Sequence, residues 1–208
     1  MLYFTSRDIA AISMSAAIWS ILNVIISPIL WNMTHLPFFC DMIGFACLIF
    51  ATWWTRKPGT ATLVGVIATI INLMLSPGAL QMLGFTAASI FFDLASRVVG
   101  YDTMFRSEPA QALNSATSQV SCLPSASNSS SFFLISSQRG FISQIALSIV
   151  SAAIAGTIIG SLFMNPQFLA TMGGFLFFVG LHVAGGVLGG VLGFILVRAL
   201  KNRRVIPD

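Results

Sequence analysis

The residues of this sequence best suited to chemistry are polar side chains that interrupt otherwise apolar stretches. Asp41, Asn72, Gln81 and His182 each lie in or beside a long apolar run, where an unpaired polar group is costly and points to a site or a specific partner. When the runs are threaded as membrane helices, all four fall towards the outer leaflet. The same side carries further aromatic, amide and imidazole groups, namely Trp19, Asn23, Trp31, Asn32 and His35. We predict that these side chains line one outward-opening pocket for an amphipathic small molecule, which would stack on the rings and meet a few convergent hydrogen bonds.

Each of these polar residues also has a structural interpretation. Asp41 either contributes to the site, pairs with His35, or lies solvated at a helix end. A single membrane histidine such as His182 can instead bond a carbonyl of a neighbouring helix, and Asn72 lies next to a predicted turn. The sequence leaves these alternatives open.

Motifs that would indicate catalysis or a resident metal are missing from the sequence. It contains no phosphate-binding glycine loop, no His-x-x-x-His pair, no Gly-x-Ser-x-Gly turn and no acidic array for a divalent ion. Cys40, Cys47 and Cys122 lack metal-ligand spacing, and an odd number of cysteines cannot form a closed disulfide framework. We therefore expect a non-catalytic protein with no metal or cofactor.

The composition indicates the elements that must position the polar residues. Of the 208 residues 56% are hydrophobic and 8% are charged, which leaves too little polar surface to coat a water-soluble globule. In hydrocarbon, only spanning helices or a closed barrel give every backbone N–H and C=O group an internal partner. The apolar runs of about 17–28 residues favour helices over barrel strands, which would be about 10 residues long. We predict an all-α polytopic membrane protein, a single membrane domain over 1–208. Its six spans are predicted at 9–30, 37–55, 60–76, 80–99, 140–163 and 169–197, with a Ser-rich cytoplasmic linker at 100–139.

The positive charges predict how this chain is oriented. Threading six spans places every Lys and Arg on one side: Arg7, Arg56, Lys57, Arg97, Arg106, Arg139, Arg198, Lys201, Arg203 and Arg204. Under the positive-inside tendency, this side and both termini are cytoplasmic. Basic residues scattered beside apolar runs are typical of membrane topology, so we expect a lipid bilayer and no nucleic acid as partner.

Small residues recur at four-residue spacing on several predicted spans. The last span carries Gly185, Gly189 and Gly193 with Gly186 and Gly190 alongside, and the fifth carries Ser148, Ala152, Gly156 and Gly160. Such faces let helix backbones approach closely in lipid. We predict that they pack the fifth and sixth spans together, with a sliding surface for a partner as the alternative.

The layout resembles the S components, the substrate-binding subunits of energy-coupling-factor (ECF) ABC importers, which are compact six-helix proteins for vitamins and related micronutrients. The resemblance covers most of the chain and rests on its size, its topology and the long first helix whose outer loop, 31–36, runs into Pro37. It rests also on the run Pro58-Gly59-Thr60-Ala61-Thr62-Leu63-Val64-Gly65 and on Leu83-Gly84-Phe85-Thr86-Ala87-Ala88.

The resemblance implies a capture subunit in the cell membrane, energised by a transmembrane coupling subunit and two cytoplasmic ATPase subunits. In the family an Ala-x-x-x-Ala face on the first helix meets the coupling subunit, and the matching residues here are Ala11 with Ser15, or Ala16 with Ser20. The aromatic and amide-rich pocket suggests thiamine or its pyrimidine precursor, with Asp41 balancing a cationic ligand. The alternatives are a stand-alone permease or channel, and an accessory membrane subunit that binds no ligand.

Overall fold

The computed structural model describes residues 3–34, 38–77, 80–105, 142–155 and 173–203, together with 158 and 162. Helices account for all the regular structure in these ranges. Their bounds are α1 Ser6–Thr34, α2 Phe38–Thr55, α3 Thr60–Leu75, a 3₁₀ turn Leu80–Met82, α4 Leu83–Val99, the short α5 Tyr101–Phe105, α6 Ile142–Ala155 and α7 Phe175–Asn202. The all-α prediction is confirmed for the described part of the chain.

Three segments are long and apolar enough to cross a membrane: Ser6–Leu30, Leu80–Val99 and Phe175–Asn202. They indicate a membrane-embedded protein. The apolar helices α2, α3 and α6 are shorter in their described extent. At 1.5 Å per residue the 16 residues of α3 extend about 24 Å, less than the roughly 30 Å of a hydrocarbon core. Of the six predicted spans, three therefore correspond to segments that are long enough, as described, to cross a membrane.

The centre of the bundle is α2, which packs against α1, α3 and α7. Phe45, Leu48, Ile49 and Trp53 of α2 are all buried. Tryptophans at span ends commonly lie in the interfacial aromatic belt, but the indole of Trp53 is enclosed by the bundle. The exposed side of α1, in contrast, is apolar along its length, with Ile18, Ile21, Ile25 and Ile29 on the outside, as expected of a surface facing lipid.

The glycines of α7 serve two helix contacts. A Cβ at Gly186 would lie 2.7 Å from the carbonyl oxygen of Ser148 on α6, so this face packs on α6, as predicted for the fifth and sixth spans. A Cβ at Gly189 would lie 2.8 Å from the carbonyl oxygen of Met42, and one at Gly193 would lie 2.7 Å from Ile49. The second glycine face therefore brings α7 against α2, a contact that the sequence analysis did not predict.

The small-residue face of α1 is enclosed by the bundle. Ala11, Ser15, Ala16 and Ser20 are all buried, and the Ser20 hydroxyl donates to Ala16 O at 2.8 Å and to Ala68 O on α3 at 3.1 Å. Small side chains here allow α1 and α3 to approach, so the face predicted for a coupling subunit is buried within the bundle in this structure.

Contacts between helix ends define two ends of the bundle. At one of them Lys57 bonds Asp8 at 2.7 Å, and Lys201 donates to Phe105 O at 2.7 Å; we call this the basic end. The opposite end, where Asp41 lies near the start of α2, is called the Asp41 end. Neighbouring helices in the described chain therefore alternate in direction between the two ends.

Two predicted boundaries differ from the structure. Helix α1 continues to Thr34, so Trp31 and Asn32 lie on a helix rather than in the loop predicted over 31–36. At the other end of α4, residues 101–105 form the short α5 within the predicted linker. Residues 106–139 of that linker lie outside the described chain.

Candidate functional site

The most unusual polar contact in the bundle joins Asp41 and His182. Asp41 lies in the first turn of α2 and His182 near the start of α7, and their exposed fractions are 8% and 6%. The Asp41 Oδ2 and His182 Nδ1 atoms are in direct hydrogen-bond contact. The approach of α7 to α2 at Gly189 makes this contact possible. The pairing with His35 considered from sequence involves a residue outside the described chain, and the partner that the structure gives Asp41 is His182.

One atom of this pair has no partner in the described chain. The second imidazole nitrogen of His182, Nε2, is buried and makes no hydrogen bond to any described residue. The ring of Phe178, four residues earlier on α7, packs edge-on against the imidazole with centroids 4.5 Å apart. An unsatisfied buried polar atom costs about 1–3 kcal/mol, so its presence calls for an explanation. Sequence reasoning missed Phe178, although an aromatic four residues before His182 shares its helix face.

Trp19 is near this pair but is already committed to protein contacts. Its Nε1 donates to Cys40 O at 3.0 Å, and its ring stacks on Phe85 with centroids 4.0 Å apart and planes 9° apart. A Cβ at Gly44 would lie 2.7 Å from both rings, so glycine is needed where α2 passes this aromatic pair. Trp19 thus joins α1, α2 and α4 rather than offering a free face for stacking.

Asn23 and Asn72 form a second polar group at the Asp41 end. Asn23 Nδ2 donates to Asn72 Oδ1 at 2.9 Å, and its own Oδ1 accepts from Ser27 at 2.8 Å. Asn72 Nδ2 donates to Ala68 O at 2.8 Å, while Asn23 Nδ2 also approaches the Met82 sulfur at 3.3 Å. Each amide oxygen and nitrogen of the two residues therefore has a protein partner. The Asn23–Asn72 group connects α1 with α3 and has no vacant polar atom.

Of the remaining predicted pocket residues, the two that the structure describes do not join the pair. Asn32 is exposed on the last turn of α1, and Gln81 is exposed in the 3₁₀ turn. The Trp31 side chain and the whole of His35 lie outside what the structure describes. Of the residues predicted to line one pocket, the structure thus brings Asp41 and His182 into contact and places Asn23 and Asn72 in a separate group.

A polar cluster at the basic end was not predicted. The Asp93 carboxylate accepts from the Gly59 backbone N–H at 2.7 Å, from Thr62 at 3.3 Å and from the Tyr101 hydroxyl at 3.2 Å. Arg97 lies four residues after Asp93 on α4, a spacing that allows an intrahelical ion pair, but the Asp93 carboxylate instead accepts from one backbone N–H, that of Gly59 at the start of α3. The sequence signal that could have indicated this contact is Pro58-Gly59, because Gly59 adopts a positive φ of 93° where α3 begins.

The Tyr101 hydroxyl, at the edge of this cluster, is kept in its protonated form. Burial, together with the neighbouring Asp93 carboxylate, raises the pKa of the Tyr101 hydroxyl above its ordinary value. The phenol therefore stays protonated and continues to donate to Asp93. With its carboxylate enclosed by three donors, the cluster joins α3, α4 and α5 rather than exposing a reactive group.

The metal-ligating residue types are dispersed in the described chain. Within its ranges, no group of three or more His, Cys, Asp or Glu side chains is placed to hold a metal ion. The chain matches no protein-family model, and no curated protein or solved structure matches it. Interpretation of the site therefore depends on its own geometry.

Proposed function

We propose that the chain is a substrate-capture subunit of a membrane importer and that it binds a small polar or cationic molecule at Asp41 and His182. The observation that carries the proposal is the buried Asp41–His182 contact, in which Nε2 has no partner among the described residues. Ionisable residues inside a membrane bundle are expensive and commonly mark substrate or ion sites. A purely structural pair would more simply have both ring nitrogens satisfied.

The chemistry of the site favours a nitrogen-containing aromatic ligand. The carboxylate of Asp41 balances a positive charge, and the imidazole of His182 adds a directional hydrogen bond. Phe178 contributes an apolar wall beside them. A vitamin-like heteroaromatic compound, with thiamine or its pyrimidine precursor as the first to try, combines these properties. Because sequence motifs for covalent catalysis are missing, the proposed role is binding and release.

The proposed topology is six spans with both termini in the cytoplasm. The alternating helix directions support it, since α2 and α3 run between the same two ends as the longer α1. Lys57, Arg97 and Lys201 all lie towards the basic end, which the positive-inside tendency assigns to the cytoplasm. A membrane-impermeant maleimide, applied to intact cells in a cysteine-free background, should label Asn32→Cys and Ser76→Cys. Labelling of Arg203→Cys before permeabilisation would contradict this orientation.

Energy for import would come from a transmembrane coupling subunit and two cytoplasmic ATPase subunits, as the resemblance to S components implies. The buried position of Ala11 and Ser15 means that such a subunit must use another surface or a rearranged α1. Co-purification from the native membrane tests this assembly. If the chain purifies without these subunits and transports its substrate alone in liposomes, the stand-alone permease is favoured.

Ligand capture is tested most directly by stabilisation of the detergent-purified chain. Each vitamin and precursor of a panel is added, and a ligand at about 100 times its Kd should add roughly 2.7 kcal/mol to the free energy of unfolding. The shift should disappear in Asp41→Asn and persist in Asn32→Ala, a matched control at an exposed position of the same end. If no compound stabilises the chain, the accessory-subunit interpretation replaces capture.

A further inference from the structure

The buried polar atoms of the bundle divide its helices into two halves. Five buried side-chain atoms have no hydrogen-bond partner among the described residues, and all of them lie on α2, α6 and α7: Thr52 Oγ1, Trp53 Nε1, Gln144 Oε1, Ser151 Oγ and His182 Nε2. In the described parts of α1, α3 and α4 no buried side-chain nitrogen or oxygen lacks a partner. The buried serines of α1 and α4, for example, each donate to a carbonyl of their own helix.

Contacts of the α7 glycines place the unpartnered atoms at successive levels of the bundle. The contacts that set these levels are those of Gly186 with Ala152, Gly190 with Ile145 and Gly193 with Ile49. Ser151 therefore lies about one helical turn beyond His182, and Gln144 lies between two and three turns beyond it. Thr52 lies about four turns beyond His182, so the set extends about 20 Å along α7. It runs from the Asp41–His182 pair towards the basic end.

Water is a partner that fits all five atoms. The indole nitrogen of Trp53 only donates a hydrogen bond and the side-chain oxygen of Gln144 only accepts one, while the hydroxyls of Thr52 and Ser151 do both. Because water also does both, it satisfies His182 Nε2 wherever the proton of the Asp41–His182 pair lies. Buried water in proteins characteristically binds polar groups that the fold leaves unsatisfied. An unsatisfied group would otherwise cost about 1–3 kcal/mol.

We infer that α2, α6 and α7 enclose a hydrated seam, defined by these five atoms, that connects the Asp41–His182 pair with the basic end. The interior of the other half, between α1, α3 and α4, is dry. Side chains that bind water can exchange partners when helices separate, so the bundle can open along the seam at lower cost than through the dry half. A ligand bound at Asp41 and His182 would leave by the seam. This last consequence rests on the proposed function, whereas the hydration does not.

Two tryptophans provide a matched test of hydration in the unmodified protein. Trp19 and Trp53 are 2% and 1% exposed, but Trp19 Nε1 donates to Cys40 O, whereas Trp53 Nε1 has no partner among the described residues. With ¹⁵N-labelled indoles in proteoliposomes, solid-state NMR should show magnetisation transfer from water to the Trp53 N–H several times faster than to the Trp19 N–H. Trp19→Phe and Trp53→Phe assign the two signals. Equal transfer to both indoles, fast or slow, would overturn the seam.

The middle of the seam is tested with Ser151→Cys in a cysteine-free background. Ser20→Cys is the matched control, because Ser20 is equally buried but donates to two carbonyls in the dry half. The reagent 2-aminoethyl methanethiosulfonate reacts with thiolates, and apolar surroundings suppress thiolate formation. Modification in Ser151→Cys should therefore be roughly tenfold or more faster than in Ser20→Cys. Equal rates would mean that water does not reach the middle of the seam, and the connection with the pair would be overturned.

The same modification tests release by the seam separately from capture. Once the reagent has attached its charged group in folded Ser151→Cys, import by the reconstituted complex should fall, while ligand stabilisation should persist. Import that continues unchanged after modification would overturn release by this route. If no complex imports any compound but the Trp53 and Ser151→Cys results hold, the importer fails and the seam remains. If import is found but both indoles and both thiols are equally protected from water, the seam fails and capture remains.

Discussion

The Asp41–His182 pair and the Asn23–Asn72 group lie at the same end of the bundle, yet they use their polar atoms differently. Both connect helices through buried side chains in an apolar environment. The two asparagines share all their amide groups with protein partners, whereas His182 Nε2 has no partner among the described residues. Buried polarity alone therefore does not identify a membrane site, and the pair differs from the asparagines in joining two ionisable side chains, one with an unpartnered ring nitrogen in the described chain.

The largest expected effect is a loss of stability at the Asp41–His182 pair, and a double variant distinguishes this loss from a loss of ligand binding. His182→Leu leaves the buried Asp41 without its partner, and such a change typically costs about 3–5 kcal/mol. Replacing both residues by Leu removes the uncompensated charge, so the free energy of unfolding should return to within about 1 kcal/mol of the native value.

Denaturant unfolding in detergent micelles measures this difference. Ligand stabilisation should stay lost in the single and the double variant alike, because the atoms that bind ligand are gone in both. A double variant as unstable as His182→Leu would mean that the pair acts chiefly as a clamp between α2 and α7, and it would then resemble the Asn23–Asn72 group.

A second prediction tests whether close helix approach positions the pair. In Gly189→Ala the new Cβ would lie 2.8 Å from both Met42 O and Phe45 Cβ, so α7 must move away from α2. Overpacking of this kind costs about 1–3 kcal/mol, and ligand affinity should fall as His182 moves from Asp41.

The matched control is Gly180→Ala on the same helix, where a Cβ meets no atom within 4 Å. Because alanine favours helix over glycine, this change should be neutral or stabilise by up to about 1 kcal/mol. Equal losses of stability in the two variants would indicate that general glycine flexibility, and not the α2–α7 contact, is needed.

The third prediction concerns the closed Asn23–Asn72 group. A double-mutant cycle with Asn23→Ala and Asn72→Ala should give a coupling of about 0.6 kcal/mol and at most about 1.7 kcal/mol, the range found for hydrogen bonds between membrane helices. Ligand stabilisation should persist in both single variants, since neither residue contacts the proposed site. Loss of ligand binding in Asn72→Ala would bring the two regions back into one pocket.

The sequence was informative where local signals determine structure. Gly59 and the Ser76-Pro77 turn bound a predicted span that differs by one residue from Thr60–Leu75. The loop predicted at Trp31 and Asn32 was wrong, because aromatic and amide residues near an interface are as compatible with a last helical turn as with a loop.

The site itself was less predictable than the helices. The cost of burying Asp41 and His182 was readable from the sequence, but their contact joins residues 141 positions apart and depends on how α7 packs on α2. Asn23 and Asn72 gave the same sequence signal, a polar side chain in an apolar run, but they bond to each other. Local sequence therefore indicates which residues need a partner, while helix packing determines which partner each one receives.

The smallest expected effect comes from an ion pair at the basic end. Lys57 bonds Asp8 at 2.7 Å and Tyr3 O at 3.1 Å, with its side chain about one-third exposed. Exposed pairs contribute about 0.2–1 kcal/mol, so a cycle with Lys57→Met and Asp8→Asn should give a coupling in that range. In 1 M salt, where the screening length falls to about 3 Å, this coupling should largely vanish. The Asn23–Asn72 coupling, between neutral and buried amides, should not change with salt. If both couplings fell together, the salt would be loosening the bundle as a whole, and the distinction between its solvated end and its buried polar groups would have to be abandoned.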